Sequence, residues 1–221
     1  MGLREDFPMQ ISWQDLLDFF FPPKKPCPLC RDNLKQTIFP FCKNCLAGIE
    51  FLPPTPSWQV WAIGIYSGIL KDAIHRLKYQ NQESLAEPLG KLLAQYIDGN
   101  LGQVDGLVPI PLHENRLRKR GFNQSLLLSQ VVGGNLAIPV FSQVLIRTRD
   151  TISQVGLSRE QRLKNMTGAF QVINLPKIAG KHLLLIDDVY TTGITTLEAK
   201  NALLEAGAQE IRILVLARGR I

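Results

Sequence analysis

The sequence predicts an α/β fold, a parallel sheet flanked by helices, with a small N-terminal appendage built on four cysteines. Three observations predict it. From residue 60 onward, short apolar runs of strand character alternate with amphipathic helical patterns. Late in the chain, Leu183-Leu184-Leu185-Ile186 runs into Asp187-Asp188 and then into a turn of hydroxyls and glycine that opens a helix. All four cysteines fall within one 19-residue window, as two Cys-x-x-Cys pairs.

Composition sets the frame. The 221 residues are 45% hydrophobic, enough for one full domain with its own core and a small addition. Charged residues make up 20%, with no dominant block, which argues against wholesale disorder. A formal net charge of +6 favours anionic partners: nucleotides, phosphorylated sugars or nucleic acid. Glu5, Asp6 and Asp15 interrupt the N-terminus, and its apolar burst ends at Pro22-Pro23, so no secretory signal is expected. No run approaches the roughly 18 apolar residues of a membrane span, so no integral membrane segment is expected. Cysteines confined to one cluster fit a reducing, cytoplasmic location.

In chain order, Trp13, Leu16, Leu17, Phe19 and Phe20 mark a short amphipathic helix, expected to pack on the domain as a lid. Cys27, Cys30, Cys42 and Cys45 follow, with eleven residues between the pairs. Such spacing places four thiolates tetrahedrally around Zn²⁺, and four protein ligands leave no open position, so the metal is expected to be structural. Lys24, Lys25, Arg31, Lys35 and Lys43 surround the knuckle, either as a solvated basic surface or as a nucleic-acid contact. Residues 51–57, with three prolines within 53–56, read as a linker. The expected domains are therefore 1–57, with the knuckle, and 58–221.

The second domain opens with a strand at 60–66. Leu70, Ala73, Ile74 and Leu77 give the apolar stripe of a helix, with Lys78-Tyr79 at its end read either as facing a ligand or, by default, as solvated helix-end residues. Leu85, Leu89, Leu92, Leu93 and Tyr96 mark another helix, which tolerates Pro88 only near its start. A strand at 104–110 runs into a loop where Arg116, Arg118, Lys119 and Arg120 fall within five positions. Such a run is usually a solvated face. Here it follows a strand's carboxyl end, where open α/β sheets bind ligands, and arginine suits phosphate oxygens. His113 beside it reads as a surface histidine. A helix is expected from 123, strands at 140–146 and 168–173, and between them a polar segment, 151–167, suited to a lid. In the last helix Ala199, Ala202, Leu203 and Ala206 point inward and Gly207 stops it, before a final strand at 211–217.

The stretch through Asp187 carries the most chemistry. A small, donor-rich loop at a helix N-terminus makes an anion site, because free N–H groups and the positive end of the helix dipole converge there. Two carboxylates beside it suit hydroxyls or a metal ion. A sugar phosphate satisfies both halves.

Residues 183–195 resemble the phosphoribosyl-pyrophosphate (PRPP) motif of type I phosphoribosyltransferases. Val108-Pro109-Ile110-Pro111, Arg116, Arg120-Gly121-Phe122-Asn123-Gln124, Leu77-Lys78-Tyr79, Gln154-Gly156-Leu157, Arg162, Asn165 and the cysteine pairs together resemble the ComF family, over nearly the whole chain. Tyr190 departs from the superfamily pattern, which often has an aliphatic residue there.

The resemblance implies a type I phosphoribosyltransferase-like parallel sheet and a role for each part. Val189, Tyr190, Thr191, Thr192, Gly193, Ile194 and Thr195 would bind PRPP, with Thr191 to Thr195 holding the 5′-phosphate. Asp187 and Asp188 would be the catalytic carboxylates and accept from the ribose hydroxyls. Arg116 and Arg120 would lie on the pyrophosphate loop, with Arg147 directed towards pyrophosphate, Mg²⁺ accompanying PRPP, and 151–167 closing over the site. Two functions stay open. One is a PRPP-binding protein of natural transformation, whose partners would be single-stranded DNA and competence or DNA-uptake proteins. The other is an active phosphoribosyltransferase of nucleotide metabolism with an unknown nitrogenous acceptor. With aromatic residues at only 8%, any DNA binding is expected to be dominated by the backbone.

Overall fold

The computed structural model describes residues 26–32, 41–54, 60–100, 102–150 and 167–220. The expected N-terminal helix and nearly all of the expected lid at 151–167 lie outside the described residues.

Six helices and six strands cover the described residues, with two short 3₁₀ turns at Glu83–Leu85 and Leu175–Lys177. Helix α1 (Lys43–Ala47) starts within the second cysteine pair, and the Cys42 sulfur caps it. Strand β1 (Val60–Ile65) leads to α2 (Gly68–Tyr79) and α3 (Ala86–Ile97). Strand β2 (Gly106–Pro109) is followed by α4 (Glu114–Arg120) and α5 (Gln124–Leu136). Strands β3 (Leu145–Arg147) and β4 (Phe170–Val172) precede β5 (His182–Tyr190), α6 (Ile194–Glu205) and β6 (Glu210–Arg218).

The main sheet is parallel, in the order β1-β6-β5-β2. Strand alternation divides the core between its two faces. Leu184, Ile186, Leu214 and Leu216 face α2, α3 and α5, together with Trp61 and Ile63. Leu183, Leu185, Ile213 and Val215 face α6 and the β3–β4 pair. In α2 the buried residues are Leu70, Ala73, Ile74 and Leu77, the stripe the spacing predicts. Each fully buried leucine or isoleucine among them stabilises by about 2 kcal/mol. The cysteine knuckle is not a separate bead: Cys27, Phe41, Cys45 and Ile49 belong to the same apolar cluster as α2 and α3.

Three expectations need correction. Residues 140–146 do not form a strand of the sheet. Val140 makes only a single parallel bridge to Leu107, and Leu145–Arg147 pairs antiparallel with Phe170–Val172 in a separate two-stranded ribbon. The basic run at 116–120 lies on a helix, not a loop. His113 Nδ1 accepts from the Asn115 N–H at its start, and Gly121, at φ 85°, ends it. His113 is therefore a half-buried capping residue. Finally, the strand expected over the apolar run at 183–186 is longer: β5 runs on through Asp187 and Asp188 to Tyr190.

Both edges of the sheet are covered. Beyond β1, the N–H of Leu52 donates to the Ile63 carbonyl (2.8 Å) and that of Ile65 to the Glu50 carbonyl (3.0 Å). Gly64 permits this approach, since a Cβ there would come within 2.6 Å of the Glu50 oxygen. Beyond β2, Leu107 exchanges hydrogen bonds with the Pro139 carbonyl (2.9 Å) and the Phe141 N–H (2.8 Å).

Candidate functional site

The carboxyl end of β5 brings the charged groups together. Asp187 and Asp188 are both buried. Asp187 Oδ1 accepts from Ser125 Oγ at 3.0 Å and from the Asp188 N–H at 2.9 Å. Burial, and next the charge of Asp188, push the Asp187 carboxyl up to about 7, against the pull of Lys78 and the two hydrogen bonds. Asp188 turns to the other side of the strand, where its Oδ2 lies 2.7 Å from Lys78 Nζ in the last turn of α2. Burial opposes the charge of Lys78, yet Asp188 and Asp187 outweigh it and hold the ammonium above the usual lysine range. Helix α2 thus starts beside the end of β1 and finishes at β5, across the intervening β6.

Beyond Tyr190 the chain turns sharply into α6. Residues 189–196 line an open depression of ≈ 180 Å³. Gly193 sits at φ 75° as the residue before the helix, and Thr196 Oγ1 folds back to donate to its carbonyl (3.0 Å). Thr191 and Thr192 are exposed. The first N–H groups of a helix lack partners within it, and the helix dipole adds positive potential, so the depression suits an anion. The Tyr190 phenol leans over the turn: a Cβ on Gly193 would come within 2.2 Å of its hydroxyl.

A basic wall faces the carboxylates. Arg116 and Arg120 are spaced i, i+4 on α4, whereas Arg118 pairs with Glu114 and Lys119 is exposed. Arg120 Nη1 donates to Gln124 Oε1 at 2.5 Å, and its guanidinium lies 5.4 Å from the centre of the Tyr79 ring. Arg147, on β3, is buried. Burial and then repulsion from Arg116 bring its pKa down to about 10, while Asp187 and Asp150 pull it up. A buried guanidinium whose charge is disfavoured by a second one, with a carboxylate beside it, makes a place where a polyanion relieves repulsion.

The four cysteine sulfurs lie within 4.8 Å of one another. A tetrahedral Zn–thiolate site with Zn–S of about 2.3 Å requires sulfurs about 3.8 Å apart. Cys30 and Cys42 are 3.5 Å apart, and the N–H of Cys42 points at the Cys27 sulfur at 3.5 Å. Burial pushes the Cys27 thiol up, but N–H donors from Cys42, Cys30 and Leu29 outweigh it and bring it down to about 7. The donor set is compatible with zinc. From α2, Arg76 donates to the carbonyls of Pro28 and Leu29, both at 3.0 Å, and so ties the first cysteine pair to the helix that carries Lys78.

Residues 129–221 match the phosphoribosyl transferase domain family. Competence protein F of Haemophilus influenzae is 32% identical over 207 residues, covering 87% of this chain and 90% of that protein. The chain belongs to the ComF family. DNA utilization protein YhgH of Escherichia coli is 33% identical, covering 88% of this chain and 85% of that protein. Competence protein ComFC of Streptococcus pneumoniae is 28% identical, covering 87% of each chain. Among solved structures, an adenine phosphoribosyltransferase (APRTase) of Giardia lamblia complexed with 9-deazaadenine superposes with a TM-score of 0.44 at 14% identity, over 80% of this chain and 97% of that one.

In this ComF chain the fold brings Asp187, Asp188, the 189–195 turn, Arg116 and Arg147 to one end of the sheet. Arg120 faces Tyr79 on the same side. Two participants are not singled out by the sequence. Ser125 looks like any helix-start serine. Lys78 reads by default as a solvated helix end, with a ligand contact as the alternative, and its buried partner lies 110 residues further on. Its one sequence signal is membership of the family's Leu77-Lys78-Tyr79 motif.

Proposed function

We propose that this ComF-family chain binds PRPP with Mg²⁺ at the end of β5 and serves the uptake or use of DNA. The observation that carries the binding reading is the pair of buried carboxylates set between a helix-head anion site and a wall of arginines. In this reading the 191–195 turn holds the 5′-phosphate through backbone N–H groups and threonine hydroxyls. Asp187 and Asp188 accept from the ribose hydroxyls, and Arg116, Arg120 and Arg147 receive the pyrophosphate. Mg²⁺ would neutralise the diphosphate and help it leave. The residues' own contribution is to place the anomeric carbon between fixed negative charge at the ribose and fixed positive charge at the leaving group. Cys27, Cys30, Cys42 and Cys45 hold a structural zinc. The DNA role rests on the relatives named for competence and DNA utilization. Single-stranded DNA and competence proteins are the partners it implies, in the cytoplasm.

Calorimetry with PRPP and Mg²⁺ tests the first part. The wild type binds, and Asp187→Ala with Asp188→Ala loses at least about 100-fold in affinity while keeping the far-ultraviolet spectrum of a folded chain, as expected for removing two charged hydrogen bonds at about 1.5–3 kcal/mol each. Absence of binding in the wild type sinks the reading. Single-strand DNA binding should weaken steeply with salt if several phosphates are contacted.

One feature favours turnover in nucleotide metabolism as a second reading. Tyr79 is 63% exposed beside Lys78 and offers a ring at the rim of the site on which a planar nitrogenous acceptor can stack. Release of pyrophosphate that depends on an added base distinguishes this reading from a site that only senses PRPP.

A further inference from the structure

Each of the two carboxylates has one oxygen fixed by the protein. Asp187 Oδ1 is held by Ser125 and by the Asp188 N–H. The fully buried Oδ2 of Asp188 lies 2.7 Å from Lys78 Nζ, an ion pair whose angles fall short of an aligned hydrogen bond. No described residue donates to the other oxygen of either side chain. We propose that Lys78 is a positioning residue of the ribose site, holding Asp188 Oδ2 inward so that Oδ1 is presented to a ligand hydroxyl. The proposal rests on the sugar-phosphate reading above and adds a residue from a helix outside the PRPP motif.

The geometry favours this over a merely structural ion pair. Lys78 is the second-last residue of α2, so its aliphatic stem runs over the buried end of the helix while the ammonium reaches the strand. Arg76, two residues earlier, is fixed to the Pro28 and Leu29 carbonyls and to Gln82 Oε1 at 2.8 Å, so the last turn of α2 is anchored from its other side. A carboxylate with one oxygen held beside a buried cation is restrained from rotating, which biases the direction of its remaining lone pairs. Preorganised acceptors of this kind bind a hydroxyl without reordering.

The test compares two sugars of equal charge. The full-length chain is titrated with ribose 5-phosphate and with 2,3-dideoxyribose 5-phosphate, so that any general loss of positive potential cancels in the ratio. The wild type should favour the diol by about ten-fold or more, the worth of one hydrogen bond to a charged group. In Lys78→Met the ratio should fall to about two-fold or less, and Lys78→Arg should restore part of it. A ratio in Lys78→Met equal to that of the wild type overturns the proposal. If Lys78→Met does not fold, Lys78→Gln, which keeps a donor but no charge, is read in the same way. A wild type that binds neither sugar, or binds both equally, overturns the sugar-phosphate reading itself and is thereby distinct from failure of the role given to Lys78.

Discussion

Asp187 carries a cost that its neighbours only partly offset. Its carboxyl titrates near 7 in the folded chain instead of the usual 3.8, because of burial and the adjacent Asp188. A raised carboxyl pKa means that the folded state binds the proton more tightly than the unfolded one. The associated stability is complete below about pH 4 and is lost as pH rises through about 7. Asp187→Asn keeps an acceptor for Ser125 and for the Asp188 N–H but removes the charge. At pH 8 this variant should be more stable than the wild type by about 2 kcal/mol, or roughly 5 °C in Tm, with the gain shrinking towards pH 5. Thermal unfolding across that range checks it, and a gain that does not depend on pH contradicts it. The expected companion is weaker ligand binding, since sites are often stabilised by removing what makes them work. This pair was legible in the sequence because its chemistry is local: two acids, a turn and a helix head are contiguous. Lys78 and Ser125 were not, because what makes each of them matter is a partner distant in sequence.

At the scale of elements, the turn from β5 into α6 is held by a glycine with two separate reasons to be one. Its φ of 75° disfavours any side chain, and the Tyr190 phenol fills the space a Cβ needs. Gly193→Ala should therefore destabilise by about 2–3 kcal/mol, of which about 1 is backbone strain that persists when Tyr190→Val clears the space. Chemical denaturation of the two single variants and the double variant measures this, and full additivity would show that the phenol is not the obstacle. The helices of the sheet were legible from their apolar stripes, and α2 buries the four residues its spacing predicts. Helix α4 was not, because none of its residues is buried and a helix without an apolar face leaves no periodic signal. Its capping signals, His113 before and Gly121 after, were present but weak. The β3–β4 ribbon was missed as a ribbon for a different reason: periodicity identifies a strand but not its partner, and these partners are separated by the polar 151–167 segment.

For the molecule as a whole, the knuckle and the ligand site are joined through one helix. Arg76 grips the first cysteine pair, and Lys78 grips Asp188. Removal of the proposed zinc should therefore be felt at a distance. A strong chelator should lower Tm by about 10 °C or more, given that structural zinc contributes on the order of 10 kcal/mol to small knuckles and that this one shares its core with the domain. It should also weaken sugar-phosphate binding several-fold at temperatures where the chain is still folded, and Arg76→Ala should reproduce the binding loss with the metal retained. Unchanged affinity after verified metal loss would separate the two sites. The proline run suggests a boundary near residue 58, and on its N-terminal side Cys27, Phe41 and Ile49 share the apolar cluster of the main core.

The short pairing of Glu50 and Leu52 with β1 has a consequence for the chain's life in a crowded solution. A parallel sheet with a bare outer strand offers a row of unused N–H and C=O groups, on which another molecule can add its own strand. By laying residues 50–52 along β1, the polypeptide consumes that template itself. The stretch that looks like a spacer between two parts thus acts as a guard against self-association, most needed while the nascent or partly opened chain still has its apolar strands within reach of its neighbours.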